Sequence, residues 1–136
     1  MNRYTALIDG KAGAYGIIFP DLPCCAAMGK TIEAAIANAG AAMRDWAEVT
    51  SEMGGTLPAP RPLEDFRQDA DVAAALAAGA TLASVPMIRD TGKPAKANLS
   101  LDTGLLAAID AEATRRNLTR SAFVGMMARK ALLEMA

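Results

Sequence analysis

The sequence predicts an α+β protein: a small antiparallel sheet covered by one long helix, followed by a separate module of one short strand and two helices. Near the amino terminus, two apolar runs flank a turn that contains glycine, which is typical of a β-hairpin. Small apolar residues then recur at helical spacing between residues 31 and 53. The last third contains a short alternating segment and two amphipathic helical patterns.

Three short strands are predicted first, over residues 4–9, 14–19 and 24–28. Gly10 and Gly13 lie in the turn of the hairpin, and Pro20 begins a rigid turn that ends the second strand. The third strand contains the two cysteines of the chain, Cys24 and Cys25. Because adjacent cysteines form only a strained disulfide and supply too few ligands for zinc, we interpret both as buried small residues on this strand.

A long helix is predicted next, from the cap residue Thr31 to about Met53. Its apolar residues share helical spacing: Ile32, Ala35, Ile36, Ala39, Met43, Trp46 and Ala47. We expect this stripe to lie across the three strands. The predicted first domain, residues 1–90, is completed by four further elements: a Pro-rich loop at residues 54–62, an acidic stretch at 64–71, a short helix at 72–78 and a strand at 82–88.

The run from residue 72 to 88 is uncharged, but it is rich in alanine and too short for a membrane span. The amino terminus lacks the continuous apolar run of a signal peptide. We therefore expect a cytoplasmic protein with no membrane partner.

After a linker at residues 91–95, the predicted second module occupies residues 96–136. In its strand, Lys96, Asn98 and Ser100 share one face, because successive side chains of a strand point to opposite sides. Ala97, Leu99 and Leu101 share the other face. A two-stranded ribbon fits the major groove of DNA, where lysine, asparagine and serine side chains can read base edges.

Two helices are predicted after this strand. Asp102 is a good cap for the first, over about residues 103–116, and Asn117 can take the left-handed conformation that ends it. Thr119 can cap the second helix. The first helix has an apolar stripe of Leu105, Leu106, Ile109 and Ala113, and the second has one of Ala122, Phe123, Met126, Met127 and Leu133.

About forty residues with one strand and two helices cannot close a core alone, so this module is expected to form a homodimer. Residues 96–134 resemble the ribbon-helix-helix family, in which two chains pair their strands in the major groove of double-stranded DNA. By the same resemblance, Thr119, Arg120 and Ser121 would bind a DNA phosphate. Whether dimers assemble further into tetramers or larger species is left open.

The charge distribution favours a DNA-binding module. Residues 93–136 contain seven basic and four acidic residues, a net charge of +3, whereas residues 1–92 carry a net charge of −4. The net charge of the whole chain is only −1 and does not reveal this difference between its two parts.

Residues 3–90 resemble the HicB family of antitoxins. The resemblance rests on the order of the elements and on two segments, Gly16-Ile17-Ile18-Phe19-Pro20-Asp21-Leu22-Pro23 and Gly29-Lys30-Thr31-Ile32-Glu33-Ala34-Ala35. It implies a small, degraded RNase H-like sheet with its helix, which binds a HicA-type mRNA-cleaving toxin. It also implies an operator-binding module that represses the shared operon.

Enzyme function is not expected. The chain has no histidine, the commonest general base, and its carboxylates, such as Asp9 and Glu33, are too scattered to hold metal ions. No cofactor or metal site is predicted. The alternative function is a ribbon-helix-helix repressor whose amino-terminal domain senses a small molecule or only forms oligomers.

Overall fold

A computed structural model of the protein describes residues 1–134. The described part of the chain divides into two compact units, Met1–Arg89 together with Leu133 and Glu134, and Asp90–Leu132. The last two residues of the predicted second module, 135 and 136, lie outside the described residues. None of the helices in the described part of the chain is long and apolar enough to span a membrane.

The first unit contains a four-stranded antiparallel sheet. Its strands are β1 (Arg3–Lys11), β2 (Ala14–Ile18), β3 (Ala26–Gly29) and β4 (Thr81–Pro86), in the order β3-β2-β1-β4. The hairpin of β1 and β2 is confirmed. The last strand pairs with the other edge of β1, so the first strand of the chain lies at the centre of the sheet.

The cysteine prediction is wrong in part. Cys24 is exposed and has a φ of 66°, in the left-handed region that strands do not use. Cys25 is buried as predicted, but β3 begins only at Ala26. The turn after Pro20 extends further than expected, because the backbone N–H of Cys25 donates to the carbonyl oxygen of Leu22.

One face of the sheet is covered by α1 (Ile32–Glu52), close to the predicted bounds. The Thr31 hydroxyl accepts a hydrogen bond from the Ala34 N–H at 3.1 Å and caps the helix as predicted. At Gly29, a Cβ atom would lie only 2.3 Å from the Ala35 nitrogen, so glycine permits the helix to begin against β3. The core between helix and sheet includes Tyr4, Ala6, Ile8, Ile17, Phe19, Ala35, Ala39, Met43 and Val85.

Two short helices pack on the opposite face. They are α2 (Leu63–Phe66), which the sequence analysis did not predict, and α3 (Ala70–Ala77), which begins two residues before its predicted start. Phe66 and Val72 are buried against Leu7 of β1. This second layer covers the β1 and β4 side of the sheet.

The Pro-rich loop is held by polar contacts. The Tyr4 hydroxyl donates to the Pro58 carbonyl oxygen at 2.6 Å. The Arg61 guanidinium bonds the carboxylates of Asp21 and Asp69 and lies 4.3 Å from the centre of the Phe66 ring. These contacts join the loop to the sheet and to the second helical layer.

The β3 edge of the sheet is partly capped by a side chain of α1. The Asn38 amide donates to the Met28 carbonyl oxygen at 2.7 Å. Since β2 pairs with the other side of β3, this bond occupies an acceptor on the open edge.

The second unit contains α4 (Thr103–Arg115) and most of α5 (Arg120–Glu134). Within residues 1–134, no strand forms over residues 96–102, which the sequence analysis predicted as a strand. A strand needs a neighbouring strand for its hydrogen bonds. The predicted neighbour belongs to a second chain, so the two-chain ribbon stays a prediction.

Candidate functional site

The predicted base-reading residues lie on an exposed segment before α4. Lys96, Asn98 and Ser100 are all exposed, and so are Leu99 and Leu101, with 65% and 39% of their surfaces accessible. Neighbouring exposed apolar side chains are typical of a surface that packs against a partner, and the predicted pairing of this segment with a second chain stays a prediction.

Asp102 caps the amino terminus of α4, as predicted. The Asp102 carboxylate accepts hydrogen bonds from the N–H groups of Gly104 and Leu105 at 2.8 and 3.2 Å. A carboxylate at this position satisfies free N–H groups and complements the helix dipole. It holds the exposed segment directly to the start of α4.

The turn between the helices is also as predicted. Asn117 adopts a left-handed conformation with φ of 56°, and the Leu118 N–H donates to the Ala113 carbonyl oxygen at 2.8 Å. The Thr119 hydroxyl accepts from the Ala122 N–H at 3.1 Å. The N–H groups of Arg120 and Ser121 precede the first helical hydrogen bond, and phosphate binding by them stays a prediction.

The arginine side chains of this unit pair with carboxylates. Arg120 donates through Nε and Nη2 to the two Asp110 oxygens at 2.7 and 2.8 Å. The Arg120 guanidinium lowers the pKa of Asp110, and the Asp110 carboxylate raises the pKa of Arg120. Because Nε and Nη2 face Asp110, the Nη1 side of the guanidinium remains available to a phosphate oxygen.

A second charge cluster lies at the end of α4. Glu112 accepts from Arg115 Nε at 2.9 Å and from Arg116 Nε at 2.7 Å. These hydrogen bonds, chiefly that from Arg115, lower the pKa of Glu112 to about 2. Outside this cluster, Arg129 of α5 forms an ion pair with Asp90. In the described part of the chain, Lys96 forms no ion pair, which leaves its ammonium group available to an anionic ligand.

A groove of about 530 Å³ lies within the second unit, between the exposed segment and its two helices. Its apolar lining includes Ala97, Leu99, Leu101, Leu106, Ile109 and Val124. Asn98, Arg120 and Ser121 also line the groove, so the fold brings three of the six predicted DNA-contact residues together. Lys96, Ser100 and Thr119 do not contribute to it.

Asp110 orients Arg120 through two hydrogen bonds, a role that was not predicted from the sequence. The two residues are ten positions apart on different helices, so no helical spacing rule connects them. Among residues 1–134, no three His, Cys, Asp or Glu side chains cluster as metal ligands.

A family model described as the HicB-like antitoxin of bacterial toxin-antitoxin systems matches residues 4–128. The chain is similar to the HicB antitoxin of Burkholderia pseudomallei, at 29% identity and a TM-score of 0.56, covering 97% of this chain and 99% of that one. It is similar to antitoxin HicB3, at 25% identity and a TM-score of 0.55, covering 96% and 97%. No curated protein matches the sequence.

Proposed function

Because the chain belongs to the HicB-like antitoxins of bacterial toxin-antitoxin systems, we propose that it binds and neutralises a HicA-type mRNA-cleaving toxin and represses the operon that encodes both. The observation that carries this proposal is the extent of the family match, which includes both units of the chain. Similarity to the B. pseudomallei antitoxin over nearly the full length supports the same function.

The amino-terminal unit is the proposed toxin-binding part. Residues 1–89 contain ten acidic and seven basic residues, a net charge of −3. A ribonuclease toxin needs a basic surface to bind RNA, so the charges of the two proteins are complementary. Inhibition by this unit consists of covering the toxin, without any reaction catalysed by the antitoxin.

The carboxy-terminal unit is the proposed operator-binding part and forms a homodimer. Pairing of the exposed segments of two copies would bury Leu99 and Leu101 between the helices of both chains. Lys96, Asn98 and Ser100 would then face the major groove. Thr119, Arg120 and Ser121 would hold a phosphate through backbone N–H groups and the helix dipole.

Toxin binding is tested by co-expressing this chain with a tagged copy of the small basic protein encoded beside it, followed by affinity capture and a growth assay. We expect a stable complex and growth rescue that depends on this chain. Operator binding without a complex or toxicity would instead support the repressor with a sensing or oligomerising domain.

Operator binding is tested with a variant that replaces Lys96, Asn98 and Ser100 with alanine. Each good base contact contributes about 1–3 kcal/mol of discrimination, so we expect the preference for operator over random DNA to disappear while the dimer stays folded. Lys93→Ala, which removes one nearby charge, is the matched control and should retain the preference. Full preference in the triple variant would contradict the proposed register.

A further inference from the structure

In the first unit, the face of the sheet opposite α1 is only partly covered by helices. Leu7 of β1 is buried under α2 and α3. Its direct partner on β2 is Ile18, which lies on the same face and is 54% exposed. Met28 of the edge strand is 67% exposed. The β2 and β3 side of this face therefore presents two large apolar side chains to solvent.

A carboxylate lies beside these side chains. Asp9, Gly16 and Met28 form one row across the sheet, on the same face as Leu7 and Ile18. A Cβ atom at Gly16 would lie 3.0 Å from Asp9 Oδ1, so the carboxylate extends over this glycine toward Met28. Within residues 1–134, Asp9 forms no ion pair, although Lys11 follows it on the same face.

The helical layer beside this open surface is acidic. The segment at residues 64–71 contains Glu64, Asp65, Asp69 and Asp71 against one basic residue, Arg67. Arg61 neutralises only Asp69 among these four. The open surface is thus bordered by negative charge on the same side of the sheet.

We propose that Ile18, Met28 and the Asp9 carboxylate form the surface on which the toxin docks, with a toxin lysine or arginine on Asp9 and toxin apolar side chains on Ile18 and Met28. Single exposed apolar residues are ordinary, but an apolar pair around an unpaired carboxylate matches a basic partner. A second copy of this chain would place Asp9 near another acidic face, which disfavours self-association there.

This inference rests on the proposed function and deepens it. The test measures affinity for a catalytically inactive form of the toxin encoded beside this chain. We expect Ile18→Lys and Met28→Lys each to weaken binding about tenfold or more, through repulsion and lost apolar contact. Asp9→Asn should weaken binding less and reduce its salt dependence. Operator affinity and thermal midpoint should match the wild type.

The matched controls are Val49→Lys and Met53→Lys, which add the same charge at the carboxyl end of α1. Both positions are apolar and exposed, with 53% and 82% of their surfaces accessible. These should bind the toxin within about twofold of the wild type.

Unchanged affinity in both Ile18→Lys and Met28→Lys would overturn the docking surface while leaving the proposed function intact. A wild-type chain that fails to bind the toxin would overturn both. A change in the oligomeric state of the chain alone, caused by these variants, would assign the face to self-association and also overturn the proposal.

Discussion

Two adjacent cysteines of this protein lie in opposite environments. Cys24 is exposed, whereas Cys25 is 4% exposed, and burial raises the pKa of the Cys25 thiol to about 11. The sequence correctly predicted burial for Cys25 but not the left-handed backbone of Cys24. Cysteine has no intrinsic preference for that conformation, so only the surrounding turn, with its bonds to Phe19 and Leu22, imposes it.

This difference predicts the reactivity of the two thiols. The thiolate is the reactive form, so at pH 8 we expect one fast-reacting thiol in the folded protein and a second that reacts only after unfolding in urea. Titration with a chromogenic disulfide reagent measures both phases. Cys24→Ser should remove the fast phase, and Cys25→Ser should retain it. Two fast thiols in the native protein would contradict the burial of Cys25.

At the scale of single elements, helix ends were predictable because capping depends on neighbouring residues. Thr31, Asp102 and Thr119 cap the helices that the sequence assigned to them. The helix α2 was missed because four residues contain too little periodicity to detect, and Phe66 holds this turn through tertiary burial. The strand before α4 stays a prediction, because a strand of a two-chain ribbon forms its hydrogen bonds with a second chain.

The left-handed residue between α4 and α5 gives a prediction on stability. Asparagine and glycine tolerate positive φ better than alanine. We expect Asn117→Ala to lower the free energy of unfolding by about 1 kcal/mol and Asn117→Gly to leave it unchanged or slightly raised. Urea denaturation at one fixed protein concentration measures this difference. Equal stabilities of the alanine and glycine variants would argue against the observed turn.

The cluster at the end of α4 gives a pH dependence. The pKa of Glu112 falls from the ordinary 4.5 to about 2 on folding, so the unfolded state binds more protons between these values. The stabilisation by Glu112 is therefore complete above about pH 5 and is lost as the pH falls toward 2. In urea denaturation over this range, Glu112→Gln should show a shallower loss of stability than the wild type. Identical slopes would show that these ion pairs are not formed in solution.

At the scale of the whole molecule, the α+β architecture and the place of the long helix followed from hydrophobic periodicity. The open surface around Ile18 could not be predicted in this way. Whether Ile18 is covered depends on where α2 and α3 pack after the chain passes through the Pro-rich loop. That placement depends on Arg61 and Phe66, which are distant from Ile18 in sequence.

The proposed dimer predicts opposite outcomes for neighbouring substitutions. Leu99→Lys would place a charge inside the dimer interface, and we expect it to produce monomers or to unfold the carboxy-terminal unit. Ser100→Lys introduces the same charge on the proposed DNA-facing side and should remain dimeric. Sedimentation equilibrium measures the masses, and circular dichroism detects unfolding. Dimers of both variants with equal stability would contradict burial of the Leu99 face.

The bond from Asn38 to the Met28 carbonyl has a consequence for colloidal behaviour. Met28 belongs to an exposed edge strand, where an unpaired row of backbone groups would recruit strands from other copies and initiate fibril-like stacking. By occupying one acceptor of that row, Asn38 hinders such recruitment and leaves the Met28 side chain accessible on the face of the sheet. The same short strand thus exposes an apolar side chain on the face of the sheet while one of its edge carbonyl groups is blocked against pairing with another chain.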